Sequence, residues 1–321
     1  MANRILTLTM NPTVDVTVAV DALVPEHKLR TGSARYDPGG GGINVARGIH
    51  RCGGNVLAIY TAGGAVGEML SCLLGDEGLA HCPIQIGRVT RESITVQASD
   101  TGAHYRFVLP GPELTLDETE RCLRAMRDRA ESRHWLASGS LPPGVGVDFY
   151  ARLARAARGA GARLFLDTSG EPLRAALAEG VYMIKPNLAE LAELWGLADA
   201  QGFDRRAACR ELVAQGGVEV VVLSLGAEGA LLTDCRQQLH IPAPPVRADS
   251  VVGAGDSFMA LFVLQQARGM TTVQATHYGV AAGTAAALTP ATALFRPEDI
   301  DTLCVEIGCE SAEGASGRPR R

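Results

Sequence analysis

The stretch SVVGAGDSF (residues 250–258) puts Gly253, Ala254 and Gly255 directly before an acid, Asp256, and then runs into an apolar helical pattern. A helix N-terminus carries unpaired N–H groups and partial positive charge, and glycine there lets an anion reach the backbone with no Cβ in the way. Residues 253–255 therefore have the composition of an anion cradle. Asp256, in the first turn, has two readings: a carboxylate that caps the helix dipole, or a base that takes a proton from a nucleophile attacking the anion beside it. For an isolated G-x-G-D the cap is the default, so the rest of the chain has to decide.

Outward from this stretch, short apolar runs ending in Gly, Pro or Asn recur: RILTLTM, NVLAIYTAGG, HWLASGSLPPG, ARLFLDTSG, VYMIKPN and VEVVVLSLGAEG. Segments of helical period lie between them, at 116–132, 147–160, 203–215 and 271–288. Buried strands alternating with helices predict an α/β fold with a mostly parallel central sheet covered on both faces, and ligands at the carboxyl ends of its strands. Two regions depart from the pattern. Val14, Val16, Val18 and Val20 alternate with Asp15, Thr17, Ala19 and Asp21, and residues 93–98 and 104–108 flank the turn-like SDTGA, as in a hairpin. Strands with one apolar and one polar face do not belong in a doubly covered sheet. They are expected to form a small β lid, from about 14–37 and 88–110, whose apolar face closes over the site or meets a second subunit; the alternative is an antiparallel edge of the main sheet. The terminal CESAEGASGRPRR lacks periodicity, and residues 309–321 are expected to be a disordered tail after a domain spanning 1–308.

Three further motifs bear on Asp256. PGGGGINVARG is a second glycine run opening a helix, with Asn44 in its first turns. Four consecutive glycines lose much backbone entropy on folding, and close approach of a substrate to the backbone explains them better than a loose linker does. IKPNLAE ends an apolar strand with Lys185 and starts a helix at Asn187. Asn187 and Glu190, three apart, share a helical face, where they either orient a hydrated magnesium ion or form a capping box. LSLGAEGALL is strand, glycine turn, strand, which suits a hairpin or a nucleotide lying against the backbone. The Walker loop, a dinucleotide G-x-G-x-x-G after the first strand, and the D-F-G and H-R-D motifs are all absent from the sequence.

Composition narrows the partners. The 321 residues are 46% apolar with formal charge -5, enough for a large core and without global attraction to nucleic acid or anionic membranes. With no charged-then-apolar leader and no apolar run near 18 residues, the chain is read as cytoplasmic and outside membranes. Eight cysteines without a C-x-x-C pair argue against a zinc ribbon or disulfide framework, and most are expected to be small buried hydrophobes. Of the 30 basic residues only Lys28 and Lys185 are lysine, which marks both as places where a compact ammonium is needed.

Together TMNPTVD, PGGGGINVAR, SGSLPPG, IKPNLAE, LSLGAEGALL, VVGAGDSF and GVAAGTAAAL, spread over residues 9–288, resemble the ribokinase-like sugar kinases of the PfkB family. The resemblance implies a three-layer α/β/α sandwich with a β-sheet lid, ATP as phosphoryl donor, Mg2+, and a homodimer through the lids. It implies Asp256 as catalytic base, with Gly253, Ala254 and Gly255 as the hole for the transferred group. Asp15, Gly40, Gly41, Asn44 and Ser140 match sugar contacts. Lys28, Arg30 and Arg91 match the cations near a sugar phosphate, the first two reaching it from the partner's lid. Lys185, Asn187 and Glu190 match the nucleotide-phosphate and magnesium region, Ser224, Gly226 and Gly229 the ATP loop, and Val280 and Thr284 the surroundings of adenine. Ser250 and Val252, in the stretch before the cradle, match the nucleotide site as well. There the chain reads Ser250-Val251-Val252 where many members have D-T-T; K+ is carried as an optional cofactor, without assigned ligands.

Glycine in PGGGGINVAR stands where 1-phosphofructokinases usually have lysine, which implies a 6-phosphofructokinase acting on the 1-hydroxyl of fructose 6-phosphate. A 1-phosphofructokinase or tagatose-6-phosphate kinase shares nearly the same framework. A catalytically silent nucleotide- or sugar-phosphate-binding regulator is the alternative of a different class. An ordinary Asp, with pKa near 3.9, cannot quantitatively deprotonate an alcohol, so the proton is expected to move late in a loose transition state.

Overall fold

A computed structural model describes residues 4–197, 202–247, 252–289 and 294–308 of the chain. The tail 309–321 and Ser250 lie outside the described residues. The elements run β1 Ile5–Thr9, β2 Thr13–Val20, β3 Arg35–Gly39, α1 Gly41–Arg51, β4 Val56–Ala62, α2 Gly64–Asp76, β5 His81–Gln85, β6 Arg91–Ala98 and β7 His104–Val108. There follow α3 Leu116–Arg127, β8 His134–Ser138, α4 Phe149–Gly159, β9 Arg163–Asp167, α5 Gly170–Glu179, β10 Val181–Ile184, α6 Leu188–Leu194 and α7 Arg205–Ala214. The last are β11 Val218–Ser224, β12 Ala230–Asp234, β13 Gln238–Ile241, α8 Ala254–Ala267, α9 Thr272–Ala287 and α10 Pro297–Glu306.

The apolar runs become one nine-stranded sheet, ordered β13-β12-β11-β10-β9-β8-β1-β4-β5 and parallel except at β12 and β13. Strand residues alternate between two cores: Val220 and Val222 of β11 face one, Val221 and Leu223 the other. Helices α1, α2, α8, α9 and α10 cover the first face and α3 to α7 the second, giving three layers. A strand buried on both faces has no use for a polar stripe, which is why these runs are continuous rather than alternating. Helix starts follow local chemistry, as in the Thr115/Glu118 and Thr271/Gln274 capping boxes of α3 and α9.

The alternating strands form a separate four-stranded sheet, β3-β2-β6-β7, and so are not an edge of the main one. Register sorts their faces. Val16 lies opposite Tyr36 and Ile94, Ile94 opposite Phe107, and Val96 opposite Val18 and Tyr105, so these residues share one face. Tyr36, Tyr105 and Phe107 remain 43%, 44% and 52% exposed on it. The other face carries Asp15, Asp37, Arg91, Ser93 and Arg106. Asp15 therefore lies on the polar face, while Val14 and Val16 of the apolar face pack against the first core and only the far part of that face is exposed.

Two composition readings also change. Of the seven described cysteines only Cys122, Cys209 and Cys304 are buried, while Cys72 and Cys235 are exposed. Lys185 is buried and ion-paired, as a retained ammonium should be, but Lys28 is exposed on the β2–β3 connection.

Candidate active site

The two glycine-opened helices converge. Gly253, the residue before α8, has φ 80°, a left-handed conformation open to glycine, and places Asp256 in the first turn. Gly40, before α1, has φ 111°. The Asn44 Nδ2 amide of α1 donates to Asp256 Oδ2 at 2.9 Å across 212 residues of chain. The glycines are dictated by this approach: a Cβ at Gly41 would overlap the Ser138 hydroxyl and stand 3.3 Å from Asp256 Oδ1, and one at Gly39 would overlap the Asp15 carboxylate.

Around Asp256 gather the carboxyl ends of β8, β9 and β10. They supply Ser138, Asp167 and, just beyond β10, Lys185. Lys185 Nζ lies 3.4 Å from Asp167 Oδ1, and a Cβ at Gly255 would be 3.2 Å from the same ammonium, which therefore sits against the cradle. Burial works to lower the Lys185 pKa, but the carboxylates of Asp167, Asp256 and Glu190 together outweigh it and hold the ammonium charged. Asp256 is pushed up to about 7, chiefly by burial and then by the Asp167 charge, against the lowering by Asn44 and Lys185. Asp15 is pushed up to about 6, again mainly by burial. A cleft of about 690 Å3 is lined by Gly41, Ser138, Ser140, Asp167, Glu190 and Asp256. A larger cavity, about 890 Å3, opens around Arg163 and Val181 where the strands begin, and contains none of the motif residues.

The family description "pfkB family carbohydrate kinase" matches residues 8–299, nearly the whole chain. This chain belongs to that family. The kinase is 45% identical over 97% of its length, and 91% of the relative's, to ATP-dependent 6-phosphofructokinase isozyme 2 of Mycobacterium tuberculosis. Its likeness to the Escherichia coli enzyme of that name is 40%, covering 94% of this chain and 97% of the other. The crystal structure of phosphofructokinase-2 from E. coli in complex with potassium superposes with TM-score 0.91 at 40% identity, covering 95% of this chain and 99% of that one. The same E. coli enzyme has been crystallised in complex with fructose-6-phosphate, at TM-score 0.88 and 38% identity, with 95% and 99% of the two chains covered.

The other motif residues of the kinase divide into three groups. Ser140 stands beside Asn11, which donates to its hydroxyl at 3.3 Å, and Arg91 donates to the carbonyls of Leu109 and Asn11, each at 3.1 Å. Among the described residues Asp15 Oδ1, Asn11 Oδ1 and Arg91 Nε are buried without a hydrogen-bond partner, so polar capacity is left over beside the glycine run. The second group surrounds β11: Asn187 bridges to Ser224 in parallel, Ser224 donates to the Pro186 carbonyl, and Gly226 and Gly229 have φ 59° and 97°. A Cβ on Gly229 would overlap the Ile241 carbonyl, so the β11–β12 turn itself requires that glycine. Asn187 and Glu190 form the full capping box of α6, Glu190 Oε2 accepting from Asn187 N at 2.9 Å. Val280 and Thr284 lie one turn apart on the buried face of α9, and the Thr284 hydroxyl donates to the Val280 carbonyl. The third group stays apart. Lys28 and Arg30 are exposed and make no hydrogen bond or ion pair among the described residues, and Val252 is exposed beside the cradle.

Sequence reading missed Asp167, Ser138 and Arg106. Asp167 ends the run ARLFLD, and its signal is only its place at a strand's carboxyl end, where this fold puts its ligands. Arg106 occupies the polar face of the lid, opposite Thr95, and its charge acts on both Asp15 and Arg91. Alternation in HYRFV was the signal that could have found it. Among the described residues no three His, Cys, Asp or Glu side chains are grouped to hold a metal by themselves, and no helix is long and apolar enough to cross a membrane.

Proposed function

We propose that this chain transfers the γ-phosphoryl group of ATP to the 1-hydroxyl of D-fructose 6-phosphate, giving fructose 1,6-bisphosphate. The observation that carries the reading is the Asn44–Asp256 hydrogen bond at the mouth of the α8 N-terminus. It brings a base, a sugar-side glycine run and an anion cradle to one point. The identity to 6-phosphofructokinase relatives over nearly the full chain supports the substrate.

In this reading the sugar lies between the lid and α1, where the unpartnered Asp15 and Asn11 oxygens accept from its hydroxyls. Arg91 and Arg106, on the polar lid face, take its phosphate, and Lys28 and Arg30 reach a partner subunit's site through a homodimer of lids. The exposed Tyr36, Tyr105 and Phe107 support such a pairing, because an apolar sheet face of this kind is costly to leave in water. Asp256 accepts the proton of the 1-hydroxyl. With its pKa near 7 rather than 3.9 it is a better-matched base than an ordinary aspartate, although the proton still moves late. Residues 253–255 and the Lys185 ammonium receive the charge that builds on the transferred group.

Magnesium carried on the nucleotide would neutralise the β- and γ-phosphates. Mg2+ usually binds one or two carboxylates plus waters and phosphates, so a pair suffices where a three-ligand cage is absent. Glu190 and Asp167, both lining the cleft, fit that requirement. The capping box uses Glu190 Oε2, so the cap and metal readings of this residue are compatible. Potassium is present in the E. coli structure, and it extends here as an activating ion to be tested by titration.

The test is ADP release with Mg-ATP, comparing kcat/KM for fructose 6-phosphate, tagatose 6-phosphate, fructose 1-phosphate and fructose. Preference for fructose 6-phosphate supports the assignment. Preference for fructose 1-phosphate or tagatose 6-phosphate would move it to those kinases, and nucleotide binding without ADP would support a silent regulator.

A further inference from the structure

Among the described residues Arg47, on α1, is the largest charged side chain that is buried, at 2% exposed. Its Nε donates to both Glu77 oxygens at 2.9 Å and Nη2 to Glu77 Oε1 at 2.6 Å, Glu77 being the residue that closes α2. The remaining nitrogen, Nη1, faces the Pro38 carbonyl at 3.1 Å and Asn44 Oδ1 at 3.5 Å. One guanidinium thus touches the start of the glycine run, the amide that meets Asp256, and a second helix. Replacing a buried ion pair by apolar residues is often neutral or stabilising, so stability alone is a weak reason for this arrangement.

The amide supplies a better reason. Asn44 sits between a cation and a carboxylate, and only one orientation suits both: oxygen toward Arg47, NH2 toward Asp256. The flipped amide would set its NH2 against the guanidinium and its oxygen against the carboxylate, two repulsive contacts. We infer that Arg47, anchored by Glu77, is a positioning residue that fixes the sense of the Asn44 amide and through it holds the Asp256 carboxylate ionised and aimed at the sugar hydroxyl. The inference rests on the reading of Asp256 as the base. The other groups acting on Asp256 are Asp167 from β9, Lys185 after β10 and Asp15 from β2. Burial, Asp167 and Asp15 oppose ionisation and Lys185 favours it, so the Asn44 bond works with Lys185 against a net upward push.

The experiment is kcat against pH for Arg47→Lys, alone and in an Asn44→Ala background, with thermal melting as a check on folding. Lysine keeps a cation for Glu77 but loses the fork that reaches Asn44 and Pro38. Weakening a hydrogen bond to the carboxylate raises its pKa, so the acidic limb of kcat should move up by about 0.5–1 unit, a loss of about three- to tenfold below the limb. The KM for ATP should hold, and Arg47→Lys should move the limb no further once Asn44 is alanine. An unmoved limb in a folded protein, or equal shifts with and without Asn44, overturns the inference. If Arg47→Lys does not fold, Glu77→Gln, which leaves the guanidinium but weakens its anchor, carries the same expectation at smaller size and the same refutation. Asp256→Asn separates the two levels: retained turnover there defeats the base reading and this inference with it, whereas lost turnover with an unmoved limb in Arg47→Lys defeats this inference alone.

Discussion

Asp256 and Glu190 occupy the same place in their helices, three residues beyond the N-cap, yet they do opposite things. The α6 cap is Asn187, whose side chain accepts from Glu190 N while the Glu190 carboxylate reaches back to the Asn187 N–H. The α8 cap is Gly253, which has no side chain to return the contact, and Asp256 is one methylene shorter. Its carboxylate is instead engaged by Asn44 from another helix. The same local position is thus tied into its own cap at one site and left to a partner from another helix at the other, and the cap residue makes the difference.

The strongest way to break this contrast is Asp256→Asn. It should bind ATP and sugar phosphate but lose at least about a hundredfold in kcat, the lower range for an acid–base group, as measured by coupled ADP release; unchanged turnover would return Asp256 to the role of a cap. Gly41→Ala drives a methyl into the Ser138 hydroxyl and toward Asp256. A folded Gly41→Ala protein should lose about tenfold or more in kcat/KM for the sugar, because a misplacement of about 1 Å is enough for such losses.

The same substitution at Asp256 tests its burial through stability. A carboxyl whose pKa is raised from 3.8 to about 7 in the folded protein favours folding while protonated, and that contribution fades as pH climbs from about 4 to about 7. Asp256→Asn should therefore melt above the parent at pH 8, by a few kcal/mol at most at about 1.4 per pKa unit, with the gap closing near pH 4. Calorimetry at the two pH values decides this, and a constant gap would count against a buried, raised Asp256. For Asp15, the KM for sugar should rise several-fold as pH drops below about 6, where the carboxylate is protonated. A flat KM between pH 5.5 and 7.5 would detach Asp15 from sugar binding.

The smallest effect belongs to the other half of the comparison. Glu190→Gln keeps a capping-box acceptor, so the melting change should stay below about 1 kcal/mol, while the magnesium concentration for half-maximal rate rises. A large melting loss with unchanged magnesium dependence would make Glu190 only a cap.

Much of this was legible before the fold was known. Continuous apolar strands separated by helical segments announce a parallel sheet, because a strand buried on both faces cannot alternate, and alternation at Val14 to Val20 marks the strand that leaves it. The run of four glycines before α1 marked a crowded turn, and the structure fills that space with the chain's own Asp15 and Ser138 side chains. What remained hidden was long-range. Nothing local in LFLD separates Asp167 from any strand end, and nothing in INVARG says that Arg47 turns inward to Glu77, 30 residues on. The exposure of Lys28, read as a retained ammonium beside Lys185, depends on which surface its connection meets.

By itself, then, the sequence determined the elements, the family and where glycine runs open helices, because these follow from hydrophobic periodicity, from the family's motifs and from the steric freedom of one residue type. Only the tertiary structure decided what engages Asp256 and in which direction its pKa moves. Burial and charge act through space, and the groups that set Asp256 come from α1, β2, β9 and the end of β10, segments joined by folding and not by chain order.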